Sequence, residues 1–171
     1  MMIVINSIAL LAIIIMVFSN NLKTEKKIIT GQMVALALFC VSNILAGSMT
    51  GFFINGLGIG RNCMCLKGKL NKKSKGIIII SSIIIGIGVN NTGLIGLLPV
   101  IANVINTAYM KEDIKRLKWI VIVTSALWGV HDFYMGIYTS TIIDIVNIVL
   151  AGWFLLSLVQ KEKSVTEVAV Q

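Results

Sequence analysis

A chain of 171 residues that is 57% hydrophobic and only 13% charged has too little polar surface to coat a soluble domain. Fifteen Lys and Arg against seven Asp and Glu leave a net charge of +8. In a soluble protein that excess would suggest nucleic acid. Aromatic residues are not interleaved with the basic ones here, so a nucleic-acid partner is excluded and the lipid bilayer becomes the expected partner.

Hydrophobic runs predict seven transmembrane helices, over residues 2–19, 28–46, 49–66, 75–89, 93–109, 117–135 and 137–159, with a polar cytoplasmic tail at 160–171. Several lie near the short end of what crosses about 30 Å of hydrocarbon. The first run, Ile3 to Phe18, has no basic residue before it and no small-x-small cleavage site after it. It reads as a retained helix rather than a signal peptide.

The third helix carries Gly51, Asn55, Gly58 and Asn62 on one face. Gly56, Gly58 and Gly60 invite comparison with nucleotide-binding glycines, but no strand precedes them, and helix packing is the expectation. Cys63-Met64-Cys65 follows at the predicted cytoplasmic end. Two sulfurs without a His or a second Cys pair do not make a metal centre, so neither a metal nor a cofactor is expected.

The fourth run, Lys75 to Val89, is the shortest and is assigned as a linker helix. Asn90-Asn91-Thr92 matches a glycosylation sequon in the short loop after it. The fifth helix holds Pro99, Asn103, Asn106 and Thr107; Pro99 removes a backbone hydrogen bond and is the expected hinge. The sixth ends in Trp128-Gly-Val-His131-Asp132-Phe133-Tyr134. His131 reads either as a proton-sensitive gate tuned by Asp132 or as an interfacial polar cap among aromatic anchors. The seventh carries Ser140, Asp144, Asn147 and Ala151 along one face. Asp144 is an intramembrane acid with no Lys or Arg on its side of the membrane, a functional candidate by default.

All basic residues fall in alternate gaps. Lys23, Lys26 and Lys27 follow the first run, and Arg61 to Lys75 follow the third. Lys111 to Lys118 follow the fifth, and Lys161 and Lys163 follow the seventh. Basic residues are retained in the cytoplasm, so the N-terminus is expected outside and the C-terminus inside.

A shift of 89 residues superimposes the first three helices on the last three, pairing Asn43 with Asp132, Asn55 with Asp144 and Gly47 with Gly136. That predicts two parallel repeats, 2–66 and 93–159, joined by linker helix 75–89 in a 3+1+3 layout within a single domain, 1–159.

The stretch Gly96-Leu97-Leu98-Pro99-Val100, then Trp128-x-x-His131-Asp132-Phe133 and an acid inside the last helix, resembles the YgjV-like bacterial inner-membrane proteins. The resemblance covers most of residues 30–158 and is best from Leu94 to Asn147. That family is in turn similar in layout to the SWEET and PQ-loop (MtN3-like) transporters. The first helix lacks their proline and no Pro-Gln pair exists, so their specificities do not carry across.

No nucleophile–base pair, zinc spacing or P-loop points to an enzyme. The expectation is an inner-membrane transporter or facilitator of a small polar solute or cation, working by alternating access. Asp144, Asn147, Asn55, Asn103 and Asn106 are its expected binding residues, and Trp128, His131, Asp132 and Asn43 its gate. That site should be weighted toward helices five to seven. A non-transporting receptor, assembly factor or partner subunit is the alternative, and an intramembrane redox protein using Cys63 and Cys65 a third reading. Glycine faces would allow a homodimer.

Overall fold

The computed structural model describes residues 1–20, 24–110 and 114–170. Lys23 and Lys111 of the charge pattern and Gln171 of the tail lie outside the described residues, as do the side chains of Lys161 and Lys163. The described residues form seven helices and no strand: α1 (Met2–Asn20), α2 (Glu25–Leu45), α3 (Met49–Leu66), α4 (Lys72–Gly88), α5 (Leu94–Ala108), α6 (Ile114–Tyr134) and α7 (Tyr138–Val170).

α2 and α6 begin three residues earlier than expected, and two further boundaries differ for reasons of local chemistry. α4 starts three residues earlier because Asn71 caps it: its side chain accepts from Ser74 N while Ser74 Oγ accepts from Asn71 N. Such a reciprocal box satisfies two donors that would otherwise be orphaned. α7 does not stop at residue 159 but continues to Val170. Gln160, Lys161, Glu162 and Lys163 are polar yet good helix formers, so leaving the apolar run need not end the helix.

The α2–α3 and α6–α7 turns are built alike. After α2, Gly47 N bonds Ile44 O and Ser48 N bonds Asn43 O, with Gly47 at φ 78°. After α6, Gly136 N bonds Phe133 O and Ile137 N bonds Asp132 O, with Gly136 at φ 75°. Both are Schellman stops, which need a residue in the left-handed region and so favour glycine. A polar side chain then ties down each turn. Asn91 Nδ2 donates to Gly47 O at 2.7 Å, and Asn6 Nδ2 donates to Gly136 O at 3.2 Å. Asn6 Oδ1 also accepts from Thr139 N at 3.0 Å, capping the first turn of α7 from α1.

Helix contacts run α1–α2–α3–α5–α6–α7 and back to α1, a closed ring of six, while α4 packs only against α3 and α5. Small residues permit the close approaches: Ala9, Ala12, Ala35 and Ala102 are wholly buried. The outward surface is apolar. Ile84, Val149 and Leu156 are more than half exposed, a pattern that water penalises and lipid does not. Exposed aromatic residues mark both ends of α6 and the start and middle of α7. Trp119 and Trp153 are exposed toward one end, and Phe133, Tyr134 and Tyr138 toward the other.

Among the described residues, three helices are long and apolar enough to cross a membrane by length and composition alone: Met2–Ser19, Lys26–Leu45 and Tyr138–Leu158. That is fewer than the expected seven. α5 is apolar but short, and its fifteen residues rise only about 22 Å. α4 has seventeen residues, α3 carries Arg61 and several amides, and α6 opens on Lys115, Arg116 and Lys118.

Candidate functional site

A cavity of about 210 Å³ opens among α1, α2, α3, α6 and α7. Its polar side is made by Asn43, Asn55, Asp132, Ser140, Asp144 and Asn147. Ile13, Met16, Leu36 and Ile143 supply aliphatic wall, and Phe39 and Trp128 supply aromatic wall. Among the described residues no basic side chain lines it.

Each polar group is positioned by the helix that carries it. On α2, Asn43 Nδ2 donates to Phe39 O at 3.0 Å, while Asn43 Oδ1 is buried with no partner. Gly51 makes room for that amide, since a Cβ there would collide with Asn43 Oδ1 and Cγ. On α3, Asn55 is 5% exposed and its Nδ2 is likewise buried without a partner. Buried amides are ordinarily satisfied, so an unpartnered acceptor and an unpartnered donor on two cavity-lining residues are unusual. On α7, Asp144 sits against α6 where there is no side chain: a Cβ on Gly129 would lie 3.3 Å from Asp144 Cβ.

Asp132 is held from behind. Its Oδ1 accepts from His131 Nδ1 at 2.8 Å, and His131 Nε2 lies 2.9 Å from Ser48 Oγ. Ser48 Oγ also accepts from Gly51 N at 3.1 Å as the N-cap of α3. Ser48 and His131 have no exposure at all. Trp128 sets its edge against the His131 ring, with centroids 5.7 Å apart. The interfacial-cap expectation for His131 therefore gives way: this side chain is wholly interior and bonded at both nitrogens.

Of the residues singled out in the sequence, Asp144, Asn147, Asn55, Asn43, Asp132 and Trp128 share the cavity. Three others lie elsewhere. Asn103 faces α3 and α4, donating to Ser82 Oγ at 2.9 Å and accepting from Arg61 Nη1 at 3.3 Å. Asn106 is half-buried away from the cavity, and Pro99 is buried inside an α5 that runs unbroken through it. No α5 residue lines the cavity, so the expected weighting toward helices five to seven is replaced by α1, α2, α3, α6 and α7.

Sequence reasoning missed Ser48, Phe39 and Arg61. A serine following Gly47 and preceding an apolar run is a recognisable cap signal, but nothing in the sequence links it to His131. The glycine expectation on α3 holds at one position only. Gly58 meets Leu36 of α2, whereas Gly56 and Gly60 face open space.

At the other end of α3, Arg61 Nε and both amide atoms of Asn62 are buried with no partner. Cys63 Sγ lies 4.0 Å from Met33 Sδ, and all three cysteines are free thiols. Among the described residues no three His, Cys, Asp or Glu side chains come together as a metal site.

An all-helical chain with an apolar exterior and a polar interior cavity defines an integral membrane protein of the helix-bundle class. A family model described as a bacterial inner membrane protein, Imp-YgjV, matches residues 3–162. The chain belongs to that family of bacterial inner membrane proteins. No curated protein and no solved structure matches it.

Proposed function

We propose that this protein is a small-solute transporter or facilitator whose two three-helix halves, α1–α3 and α5–α7, alternate access to the cavity between them. In this reading all seven helices span the inner membrane, with α4 as the linker. The short ones are accommodated by local thinning of the bilayer. The N-terminus is outside and the C-terminus cytoplasmic, which places every basic cluster inside. The layout is the 3+1+3 arrangement of the SWEET and PQ-loop transporters.

One observation carries the proposal. Phe39 and Trp128, Asn43 and Asp132, and Asn55 and Asp144 are each 89 residues apart, and all six line the same cavity. Equivalent positions of two repeats converging on one site is the expected geometry of a parallel-repeat carrier, in which the site lies at the repeat interface. The matching Schellman turns after α2 and α6 support the same reading.

Uptake into vesicles containing the native chain, compared with Asp144→Asn, tests the proposal. The expected result is accumulation of at least one solute class by the native protein and its loss in the variant. Equal permeation of protein-containing and empty vesicles across a broad solute panel would remove the transport reading.

A further inference from the structure

The cavity is chemically one-sided, and that restricts what it holds. Two carboxylates, Asp132 and Asp144, face it, and no basic side chain among the described residues does. His131 lies behind Asp132 and is engaged there, so it leaves Asp144 uncompensated. Uncompensated buried carboxylates are costly, and a bound cation relieves that cost.

The rest of the wall distinguishes between cations. Phe39 and Trp128 present aromatic rings, and Trp is the strongest of the cation–π partners. Ile13, Met16, Leu36 and Ile143 add hydrocarbon wall, and among the described residues no third His, Cys, Asp or Glu joins the two acids as a metal site, so the lining suits an organic cation better than a metal ion. Asn43 lines the same space, although its Oδ1 is packed against Gly51 and out of reach of a ligand there. Two acids on one space favour a ligand with N–H donors. A primary ammonium has three of these and a quaternary ammonium none. The volume, about 210 Å³, exceeds the roughly 150 Å³ that admits benzene in an engineered apolar cavity.

We propose that the cavity is a binding site for a primary or secondary organic ammonium ion with a compact apolar body. The ammonium sits at Asp144 and Asp132, and the body lies against Trp128, Phe39 and the aliphatic wall. This inference rests on reading the cavity as a substrate site, and it names the substrate class.

The test uses the purified full chain in detergent and four probes of one shape: benzylammonium, benzyl alcohol, benzoate and benzyltrimethylammonium. Titration calorimetry should show benzylammonium binding roughly tenfold or more tightly than the alcohol, the worth of a charge-assisted hydrogen bond. Benzoate should not bind, and the quaternary ion should bind more weakly than the primary. Asp144→Asn should abolish the preference for amine over alcohol. The native comparison stands even if that variant does not fold. Equal affinity for amine and alcohol, or tighter binding of benzoate, overturns the ligand class.

Uptake measurements separate the two readings. Binding of benzylammonium without any solute uptake sustains the ligand class and removes transport. Uptake of a sugar or an anion by a chain that ignores the amine does the reverse.

Discussion

Ser48 and His131 are 83 residues apart in the chain and meet at 2.9 Å with no exposure to either surface. The contact joins the N-cap of α3 to the end of α6, and so couples the two halves at the end where their turns lie. Asp132 Oδ1 is bonded to Nδ1, and Nε2 is bonded to the Ser48 hydroxyl, which also accepts from Gly51 N. Asp132 reaches the cavity with its orientation fixed from behind.

That chain should act as one unit. Ser48→Ala removes an N-cap, worth about 1 kcal/mol, and also leaves the buried Nε2 unpaired. His131→Ala leaves the Ser48 hydroxyl and the Asp132 carboxylate without their partner. Denaturant melts of both single variants and the double variant should be non-additive, with a coupling of about 1–3 kcal/mol. Additive losses would mean that the hydroxyl and the imidazole are merely close.

Asn103 belongs to the scaffold in this structure. It bridges Ser82 on α4 and Arg61 on α3, so Asn103→Ala takes an acceptor from a guanidinium whose Nε is already unpaired. The expected outcome is a stability loss of about 1–3 kcal/mol with ligand affinity unchanged in the folded fraction. Asn55→Ala should do the opposite, since its Nδ2 has no protein partner to lose. Measuring melting and binding on both variants separates the roles. An affinity loss in Asn103→Ala matching that in Asn55→Ala would return Asn103 to the site.

The contrast between these two asparagines shows what the sequence revealed and what it did not. Period and charge located the first six helices and the start of α7 to within a few residues, and the 89-residue shift pointed to Asn43, Asp132, Asn55 and Asp144 as partners. Those signals are local or self-similar, so one sequence carries them. Which way α5 faces is a tertiary fact. Asn103, Asn106 and Thr107 make a polar face, but whether it meets a cavity or α4 depends on where the linker helix docks. The same limit hid Ser48, whose cap signal is local while its bond to His131 is not. The end of α7 was misplaced for another reason: a polar stretch of good helix formers looks like a tail by hydropathy and like a helix by propensity.

Glycine substitutions should separate close packing from open surface. Gly129 lies where a side chain would press on Asp144, whereas Gly56 has nothing within 4 Å. Gly56→Ala should leave stability equal or higher by about 0.5–1 kcal/mol, since alanine loses less backbone freedom in a helix. Gly129→Val should push α7 outward and displace the carboxylate, lowering amine affinity more than it lowers the melting temperature. Equal tolerance of both changes in binding and melting assays would show that the α6–α7 spacing does not position Asp144.

Orientation is the remaining consequence of the charge pattern that can be measured directly. Lys75 Nζ donates to the carbonyls of Ala108 and Met110, so the start of α4 and the end of α5 share one end of the bundle. Lys118 lies over the Phe154 ring, 4.9 Å from its centroid, which ties the start of α6 to the later part of α7. Ser48, His131, Asn6, Asn91 and the two glycine turns are tied together at the other end. Translocating the lysine-rich end is disfavoured, so a fluorescent protein fused after Gln171 should fluoresce in the cytoplasm, and alkaline phosphatase at the same point should be inactive. Phosphatase placed between Asn90 and Gly93 should be active. Reversing the inside charges of the Lys67–Lys75 segment should weaken that preference, because this loop holds the densest basic cluster. Active phosphatase after Gln171 would invert the whole assignment, and the His131 end would then face the cytoplasm.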